Sequence, residues 1–110
     1  MLPKSRRLNR QQFWQVDQQG RSVAGSDCVV KFIPNGLGYS RWAVVTSTKL
    51  DKRAVVRNRL RRKIYNALRL GNWDLGFDII IFPRIAMLNL DDAKLNTAVD
   101  QVVSKISGLA

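Results

Sequence analysis

The sequence contains no histidine and no glutamate, and its only cysteine is Cys28. Without histidine it has neither a Cys/His zinc cluster nor a His-based acid–base pair of the kind many hydrolases use. A single cysteine cannot form an internal disulfide, and within the apolar run CVVKFI we expect Cys28 to be a buried strand residue. We therefore expect neither bound zinc nor a catalytic side chain.

Long apolar segments are also missing. A membrane-spanning helix needs about 20 consecutive apolar residues, whereas the longest apolar run here is the short one within DIIIFP. The N-terminal MLPKSRRLNRQQ is basic and lacks the apolar stretch of a secretory signal. We expect a cytoplasmic protein with no membrane partner, and its 110 residues suffice for one domain with one core.

Positive charge is what the sequence has in excess. Twelve arginines and seven lysines face eight acids, all of them aspartate, which gives a formal net charge of +11 and a pI of about 10.9. Self-repulsion on this scale destabilises a compact state, so it usually marks a polyanionic partner. Nucleic acid is the first candidate and an anionic membrane is the second.

The first half of the chain has the pattern of one helix followed by strands. NRQQFWQVDQQG predicts a short helix with Asn9 as its N-cap and Gly20 at its end. The β-branched and aromatic runs SDCVVKFIPN and YSRWAVVTST predict two strands. Because PNGLG between them has turn chemistry, we expect an antiparallel hairpin, with SVAG as a shorter strand before it.

The second half alternates between helix and strand. Apolar residues recur at helical spacing over residues 51–69, which predicts a helix capped by Asp51 and ended by Gly71. FDIIIFP predicts a buried strand that pairs parallel with one strand of the hairpin. NLDD predicts the start of a last helix, with Asn89 as its cap. Its expected core stripe is Leu95, Ala98, Val99, Val102, Val103 and Ile106.

The helix over residues 51–69 is apolar on one side and almost entirely arginine on the other. Its apolar sector is Val56, Leu60, Ile64, Ala67 and Leu68. A membrane-surface helix would carry large aromatic residues on that sector, and a DNA-reading helix would lie in helix-turn-helix surroundings rather than between strands. RNA is therefore the favoured partner, because arginine makes bidentate contacts with phosphate and stacks on bases.

The run AVVRNRLRR, followed later by DIIIFPR, resembles the protein subunit of bacterial ribonuclease P. That family has an Arg-Asn-Arg signature on a basic helix, which Arg57, Asn58 and Arg59 match, and a basic pair after it, which Arg61 and Arg62 match. The resemblance covers residues 8–106. Its other matching positions are Leu8, Phe13, Val16, Gly20, Arg41, Asp78 and Arg84.

Some positions depart from the family pattern. Thr48 stands where the family has the first lysine of a pair, so that only Lys49 carries over. Tyr65 and Asn66 stand where arginine and glutamate are usual, and Pro83 replaces an alanine. The spacing from Leu8 to Phe13 is also one residue shorter than in the family.

The resemblance implies an α+β fold in the order α-β-β-β-α-β-α, with a mixed sheet packed by helices and a left-handed βαβ crossover, against the usual right-handed rule. It implies a single RNA-binding domain over residues 1–110, in which residues 1–8 form a basic arm that can be flexible. It further implies a protein component of ribonuclease P that binds the catalytic RNA and the 5′ leader of precursor tRNA and assists endonucleolytic removal of that leader. The RNA subunit would carry the chemistry with Mg²⁺ that it holds itself, and the protein would bind no metal.

The resemblance also assigns two sets of site residues. The RNA-binding set is Lys49, Arg53, Arg57, Asn58, Arg59, Arg61, Arg62 and Lys63. The leader cleft lies between the first helix, the sheet and the basic helix, and its expected residues are Phe13, Phe32 and Ser47. A base stacked on an aromatic ring contributes about 1–3 kcal/mol, which is the role expected of Phe13. The alternative for Phe13 is simple packing in the core.

Two other functions remain open at the level of sequence. A non-enzymatic RNA-binding protein, for example a ribosome-associated one, would use the same basic face without any tRNA processing. A protein-only nuclease would need clustered carboxylates to hold metal. The aspartates here are scattered along the chain, and the pair Asp91-Asp92 has the pattern of a helix start.

Overall fold

The structure, a computed structural model, describes residues 3–70 and 76–109. The order of its main elements confirms the predicted α-β-β-β-α-β-α fold. They are α1 (Arg10–Gln19), β1 (Arg21–Ala24), β2 (Cys28–Pro34), β3 (Arg41–Val44), α2 (Ala54–Leu70), β4 (Phe77–Pro83) and α3 (Asp92–Leu109), with short 3-10 turns at Lys4–Arg6 and Ile85–Asn89.

The four strands form one mixed sheet in the order β1-β2-β4-β3. β2 pairs antiparallel with β1 and β4, and β3 pairs parallel with β4. The predicted hairpin between β2 and β3 is therefore wrong, because β4 lies between them. The prediction that β4 pairs parallel with one of these strands is confirmed, and its partner is β3. The left-handed sense of the β3–α2–β4 crossover stays a prediction of the resemblance.

A buried carboxylate explains why the loop between β2 and β3 spans β4. Asp78 in β4 is 5% exposed and accepts two hydrogen bonds of 2.7 Å from the Arg41 guanidinium and one of 3.0 Å from Asn35 Nδ2. A buried charge is stable only when it is paired and hydrogen-bonded. The segment PNGLG does form a turn, in which Gly36 has a φ of 71°. The residues at its two ends, Asn35 and Arg41, are hydrogen-bonded to Asp78 of β4.

The main core lies between one face of the sheet and helices α2 and α3. Phe32 and Trp42 both pair with Ile79, and all three side chains are buried in this core. The predicted apolar sector of α2 is buried at Leu60, Ile64, Ala67 and Leu68, and Val56 is half-buried. The predicted α3 stripe is confirmed in full: Leu95, Ala98, Val99, Val102, Val103 and Ile106 are buried.

Helix α1 packs on the opposite face of the sheet, where Val16 and Ile80 are fully buried. Asn9 caps α1 as predicted, since its Oδ1 accepts from the Gln12 N–H at 2.8 Å while Gln12 Oε1 accepts from the Asn9 N–H at 2.9 Å. Gly20 ends the helix, which confirms the second boundary.

The other two helices begin later than predicted. α2 starts at Ala54, and Asp51 lies before its first turn rather than at the cap. α3 starts at Asp92, and Asp91 accepts the Lys94 N–H at 2.8 Å, whereas Asn89 ends the preceding 3-10 turn. At α3, Asp91 satisfies one free N–H of the first turn, whereas Asp51 accepts the Arg53 N–H just before α2 begins. The predicted stop at Gly71 lies outside the described residues.

The described part of the basic arm, residues 3–8, lies along the free edge of β3. Arg7 forms a parallel bridge with Trp42, and the Leu8 N–H donates to the Trp42 carbonyl at 2.9 Å. The Arg6 guanidinium lies 4.8 Å from the centroid of the Tyr39 ring. Covering an edge strand in this way blocks it from pairing with other chains. Within the described ranges, no helix has the length and apolar content required to cross a bilayer.

Candidate nucleic-acid interface

Helix α2 presents two different faces. Leu60, Ile64 and Leu68 pack into the core at helical spacing. The opposite face is exposed and carries Asn58, Arg59, Arg62, Asn66 and Arg69. We name this set the arginine face. Because the apolar side is fixed in the core, the backbone beneath these polar side chains is rigid.

The loop before α2 is held by two arginines of the predicted RNA-binding set. Asp51 accepts the Arg53 N–H at 2.8 Å and two bonds of 3.1 Å from the Arg53 guanidinium. The hydrogen bond from the Arg53 side chain is the main cause that lowers the pKa of Asp51. Arg57 Nη1 donates to the carbonyls of Asp51 and Lys52 at 3.0 and 2.9 Å. Arg53 and Arg57 therefore shape this surface in addition to charging it.

Arg61 links α2 to the segment that follows β3. Its Nη1 donates to Thr46 Oγ1 at 3.3 Å, and its Nη2 donates to Asn58 Oδ1. This contact brings the segment alongside the helix, where Ser47 and Lys49 are both exposed. Ser47, predicted for the leader cleft, and Lys49, of the predicted RNA-binding set, thus lie in the segment that Arg61 contacts through Thr46.

Three other cations of the predicted RNA-binding set differ in whether an aspartate lies close enough to pair with them. Arg59 and Arg62 have no hydrogen-bond or ion-pair partner among the residues the structure describes. Lys63 Nζ lies 3.3 Å from Asp92 Oδ1 on α3, in a pair exposed enough to contribute little stability. The arginine face therefore holds charge that the described part of the chain leaves unbalanced.

The predicted leader-cleft residues lie on two different faces of the sheet. Phe13 is half-buried on α1, whereas Phe32 is 2% exposed and belongs to the core on the other face. Successive strand residues point to opposite faces, so the neighbour Lys31 faces α1 instead. This corrects the expectation for Phe32, whose ring packs edge-on against Phe77 at 5.6 Å between centroids.

Sequence reasoning missed a cluster beneath α1. Lys31 Nζ lies 3.0 Å from Asp17 Oδ1 and 5.6 Å from the centroid of the Phe82 ring. The signal was available, because the single lysine in CVVKFIP marks the residues of β2 that lie on the face opposite the main core.

Tyr65 was also missed as a core residue. It is 7% exposed, and burial raises the pKa of its phenol, while a hydrogen bond with the Val44 backbone acts in the opposite direction. Tyr65 follows Arg57 and Arg61 at spacings of four residues, so the three share one side of α2. That side faces the edge of β3.

Carboxylates do not gather into a metal site in the described ranges. In residues 3–70 and 76–109, no three cysteine or aspartate side chains lie close enough to hold a metal ion. Asp91 and Asp92 serve the start of α3 and the pair with Lys63.

The fold and this surface define a small, basic α+β protein that exposes several arginines on one helix while the other side of that helix packs in the core, as in an RNA-binding protein. The chain belongs to the Ribonuclease P family, whose model matches residues 2–107. It functions as a protein component of that tRNA-processing nuclease and has an RNA partner. The alternative of a ribosome-associated protein is not favoured by these matches.

Individual relatives support the same assignment. The chain is 32% identical over 97 residues to the ribonuclease P protein component of Caldanaerobacter subterraneus subsp. tengcongensis, covering 86% of this chain and 83% of that protein. The structure of the RNase P protein from Thermotoga maritima matches with a TM-score of 0.80 and 27% identity, over 90% of this chain and 96% of that one. A mutant RNase P protein from Staphylococcus aureus matches the fold with a TM-score of 0.83 at 24% identity, over 94% and 90% of the two chains.

Proposed function

We propose that this chain binds the catalytic RNA of ribonuclease P through the arginine face and the adjoining loop, and that it assists removal of the 5′ leader from precursor tRNA. The observation that carries this proposal is the pair Arg59 and Arg62, exposed on a helix whose other side is locked in the core. Phosphates would neutralise these charges, and the release of counterions would supply much of the binding free energy. We also propose that the protein acts in the cytoplasm, where bacterial precursor tRNA is processed.

The chemical step is assigned to the RNA. Hydrolysis would use Mg²⁺ bound by that RNA. The aspartate and cysteine side chains of the described residues do not form a set that fits a metal ion. The protein contributes binding and orientation. Asn58 and Arg61 are held by each other and by Thr46, so they would meet a phosphate with little loss of side-chain entropy.

The test uses purified chain, precursor tRNA and the cognate catalytic RNA at low Mg²⁺. We expect the chain to stimulate leader removal by the RNA and to remove nothing when the RNA is absent. Leader removal by the chain alone would overturn the assignment of chemistry to the RNA. Failure to stimulate the RNA would overturn the proposed role in leader removal.

We further propose that the single-stranded leader runs over the α1 side of the sheet, past Phe13 and towards the loop that contains Ser47. Support comes from the half-buried Phe13 and from the cationic Lys31 over the Phe82 ring on the same face. Single-stranded nucleic acid favours such a combination of aromatic rings and positive charge.

Phe13→Ala tests this path. We expect the variant to lose the stacking of one base, which weakens the binding free energy of precursor tRNA by about 1–3 kcal/mol. Mature tRNA, which has no leader, should bind as before. The matched control is Trp14→Ala, because Trp14 is the next residue on α1 and is 61% exposed. Fluorescence anisotropy with both tRNAs gives the two affinities, and equal losses for both tRNAs would show that Phe13 acts only in packing.

A further inference from the structure

Thr46 lies in the segment that leaves β3 and runs towards α2. Its side chain is half-buried, and its Oγ1 accepts a hydrogen bond of 3.3 Å from Arg61 Nη1. The main chain beside it is fixed to the sheet, because the Val45 N–H donates to the Ile81 carbonyl of β4 at 2.9 Å. The Thr46 hydroxyl is therefore an acceptor whose backbone is already held in place.

Arg61 connects this hydroxyl to a side chain on the exposed face of α2. The Arg61 side chain is half-buried, its Nη1 donates to Thr46, and its Nη2 donates to Asn58 Oδ1. A guanidinium is a rigid, planar fork of donors, so hydrogen bonds from two of its nitrogens fix both its position and its plane. Without the Thr46 acceptor, only the bond to Asn58 would remain of these two.

The bond from Arg61 also determines which end of the Asn58 amide is available to a ligand. Because a guanidinium donates and never accepts, the amide oxygen of Asn58 must face Arg61. Asn58 is exposed, and its Nδ2 has no acceptor among the residues that the structure describes. Asn58 therefore offers two N–H donors, which suit the oxygen acceptors of RNA.

We propose that Thr46 is a positioning residue for RNA binding: its hydroxyl fixes Arg61, and Arg61 fixes the Asn58 amide so that Nδ2 donates to an oxygen of the RNA. The RNA as partner rests on the proposed function. Thr46 itself contacts no RNA. This chain of hydrogen bonds adds one directional contact to a surface whose other contacts come from positive charge.

The experiment measures the Kd of the full-length chain for the catalytic RNA by fluorescence anisotropy. Thr46→Val keeps the shape of the side chain but removes the acceptor, so it should weaken binding about five- to tenfold. Thr46→Ser keeps the hydroxyl and should bind within about twofold of the wild type. The matched control is Thr97→Val, which removes a hydroxyl from the exposed side of α3 and should also bind within about twofold. Wild-type affinity in Thr46→Val, or equal losses in Thr46→Val and Thr46→Ser, would overturn the role of the hydroxyl.

The salt dependence of the same binding separates positioning from charge. Thr46→Val removes no cation, so the slope of log K against log salt should match the wild type while the affinity falls at every salt concentration. A slope reduced by about one contact would mean that the variant loses a contact between a cation and a phosphate. That result would overturn the assignment to the Asn58 hydrogen bond.

Combined variants test the path through Asn58. Asn58→Ala removes the last donor, so it should weaken binding by a similar factor, and Thr46→Val should then add less than about twofold. If Thr46 only stabilised its own segment, Thr46→Val would cost the same in both backgrounds, and this result would overturn the proposal. Asn58→Asp keeps an oxygen for Arg61 but has no donor, so it should bind more weakly than Asn58→Ala. Wild-type affinity in Asn58→Asp would show that the RNA does not use Nδ2.

Two-dimensional NMR of the free chain tests the hydrogen bonds without RNA. The side-chain amide signals of Asn58 should shift in Thr46→Val and stay in place in Thr46→Ser and Thr97→Val. Unchanged signals in Thr46→Val would overturn the positioning role even where the wild type binds the catalytic RNA. A wild-type chain that does not bind that RNA would instead overturn the proposed function.

Arg61→Lys provides a second way to break the same hydrogen bonds, and it serves if Thr46→Val does not fold. It keeps the charge but lacks the planar fork that spans Thr46 and Asn58. We expect it to shift the Asn58 amide signals and to weaken RNA binding with an unchanged salt slope. Wild-type affinity and unchanged Asn58 signals in Arg61→Lys would overturn the proposal.

Discussion

At the scale of single residues, Asp78 has the largest influence on the architecture. It is a buried carboxylate in the central strand, and its partners Asn35 and Arg41 come from the two ends of the loop that spans that strand. The hydrogen bonds that Arg41 donates to Asp78 are also the main cause that raises the pKa of Arg41. The strand order is thus supported by one charge and its three hydrogen bonds.

Replacing Asp78 with alanine should destabilise the fold by about 3–5 kcal/mol, because the change leaves Arg41 without its counter-ion in a largely buried place. Urea unfolding followed by circular dichroism measures the loss. The control is Asp100→Ala, which removes an exposed aspartate from α3 and should change stability by no more than about 0.5 kcal/mol. A loss below about 1 kcal/mol for Asp78→Ala would contradict the structural role given to this pair.

Cys28 predicts a specific dependence of stability on pH. Burial raises the pKa of its thiol from the usual 9.0 to about 11. Above pH 9 the unfolded thiol loses its proton while the folded thiol keeps it, so this stability is complete below pH 9 and is lost as the pH rises through about 11. The advantage of the wild-type chain over Cys28→Ala should shrink by about 2 kcal/mol between about pH 8 and 11.

Paired urea titrations of the two chains at each pH measure this difference and cancel the contributions of other titrating groups. A difference that stays constant across the range would show that the thiol is not shielded from water. Thiol alkylation gives an independent check, since the folded chain should react far more slowly than the unfolded one.

At the scale of elements, α2 combines a core side with an RNA side that can be altered independently. The double variant Arg59→Ala, Arg62→Ala should weaken binding to the catalytic RNA and lower its salt dependence by about two contacts. Arg57 is left intact, because it holds the loop before the helix. Stability should stay within about 0.5 kcal/mol, because both side chains are exposed.

The opposite result is expected on the other side of the same helix. Ile64→Ala should cost about 2–5 kcal/mol of stability, since Ile64 is fully buried. Val55→Ala is its control, because Val55 lies on the same helix and is 65% exposed. Anisotropy over a range of salt concentrations and urea unfolding together separate the two sides. Similar unfolding losses for the arginine pair and Ile64 would contradict the two-sided helix.

The elements also show how far the sequence predicts the structure. Helical spacing predicted the core stripe of α3 and most of that of α2, because a helix sets its buried residues by local periodicity alone. Pairing between strands depends on distant segments, and the local turn chemistry of PNGLG predicted the wrong neighbour. The better signal was FDIIIFP, whose run from Phe77 to Ile81 is buried on both faces, as a central strand requires.

The site was predictable to a similar degree. Helical spacing predicted that Arg59 and Arg62 are exposed on α2, which is confirmed, and their contacts with RNA stay a prediction. The cleft expectation failed at Phe32, because the face of a strand depends on its phase in the sheet and the family resemblance gave no phase. The burial of Tyr65 depends on residues that are distant in sequence, and no local pattern predicts it.

At the scale of the whole molecule, the net charge of +11 lowers the stability of the folded state through self-repulsion. Among the described ion pairs, the one between Arg41 and Asp78 is the least exposed, and the others relieve little repulsion. A polyanion that binds the folded chain should therefore stabilise it by mass action.

A short single-stranded RNA at about 100 times its Kd should stabilise the chain by about 2.7 kcal/mol, which raises Tm by about 10 °C for a domain of this size. Thermal unfolding at fixed ionic strength measures the shift, and dextran of similar mass is the uncharged control. High salt should reduce the shift because it screens the contacts. An equal shift with dextran would mean that charge is not the cause.

The central position of β4 also determines the order in which the chain can fold. β4 is the last strand to be synthesised, yet it is the only described strand with which β3 pairs. It also pairs with β2, where Cys28 lies opposite Pro83. Contacts between such distant segments slow folding, because the intervening chain must close before they form. The ribosome therefore synthesises α2, with its arginines, before the central strand of the sheet on which α2 packs. Until then the most basic segment of the chain lacks the completed sheet against which its apolar side packs.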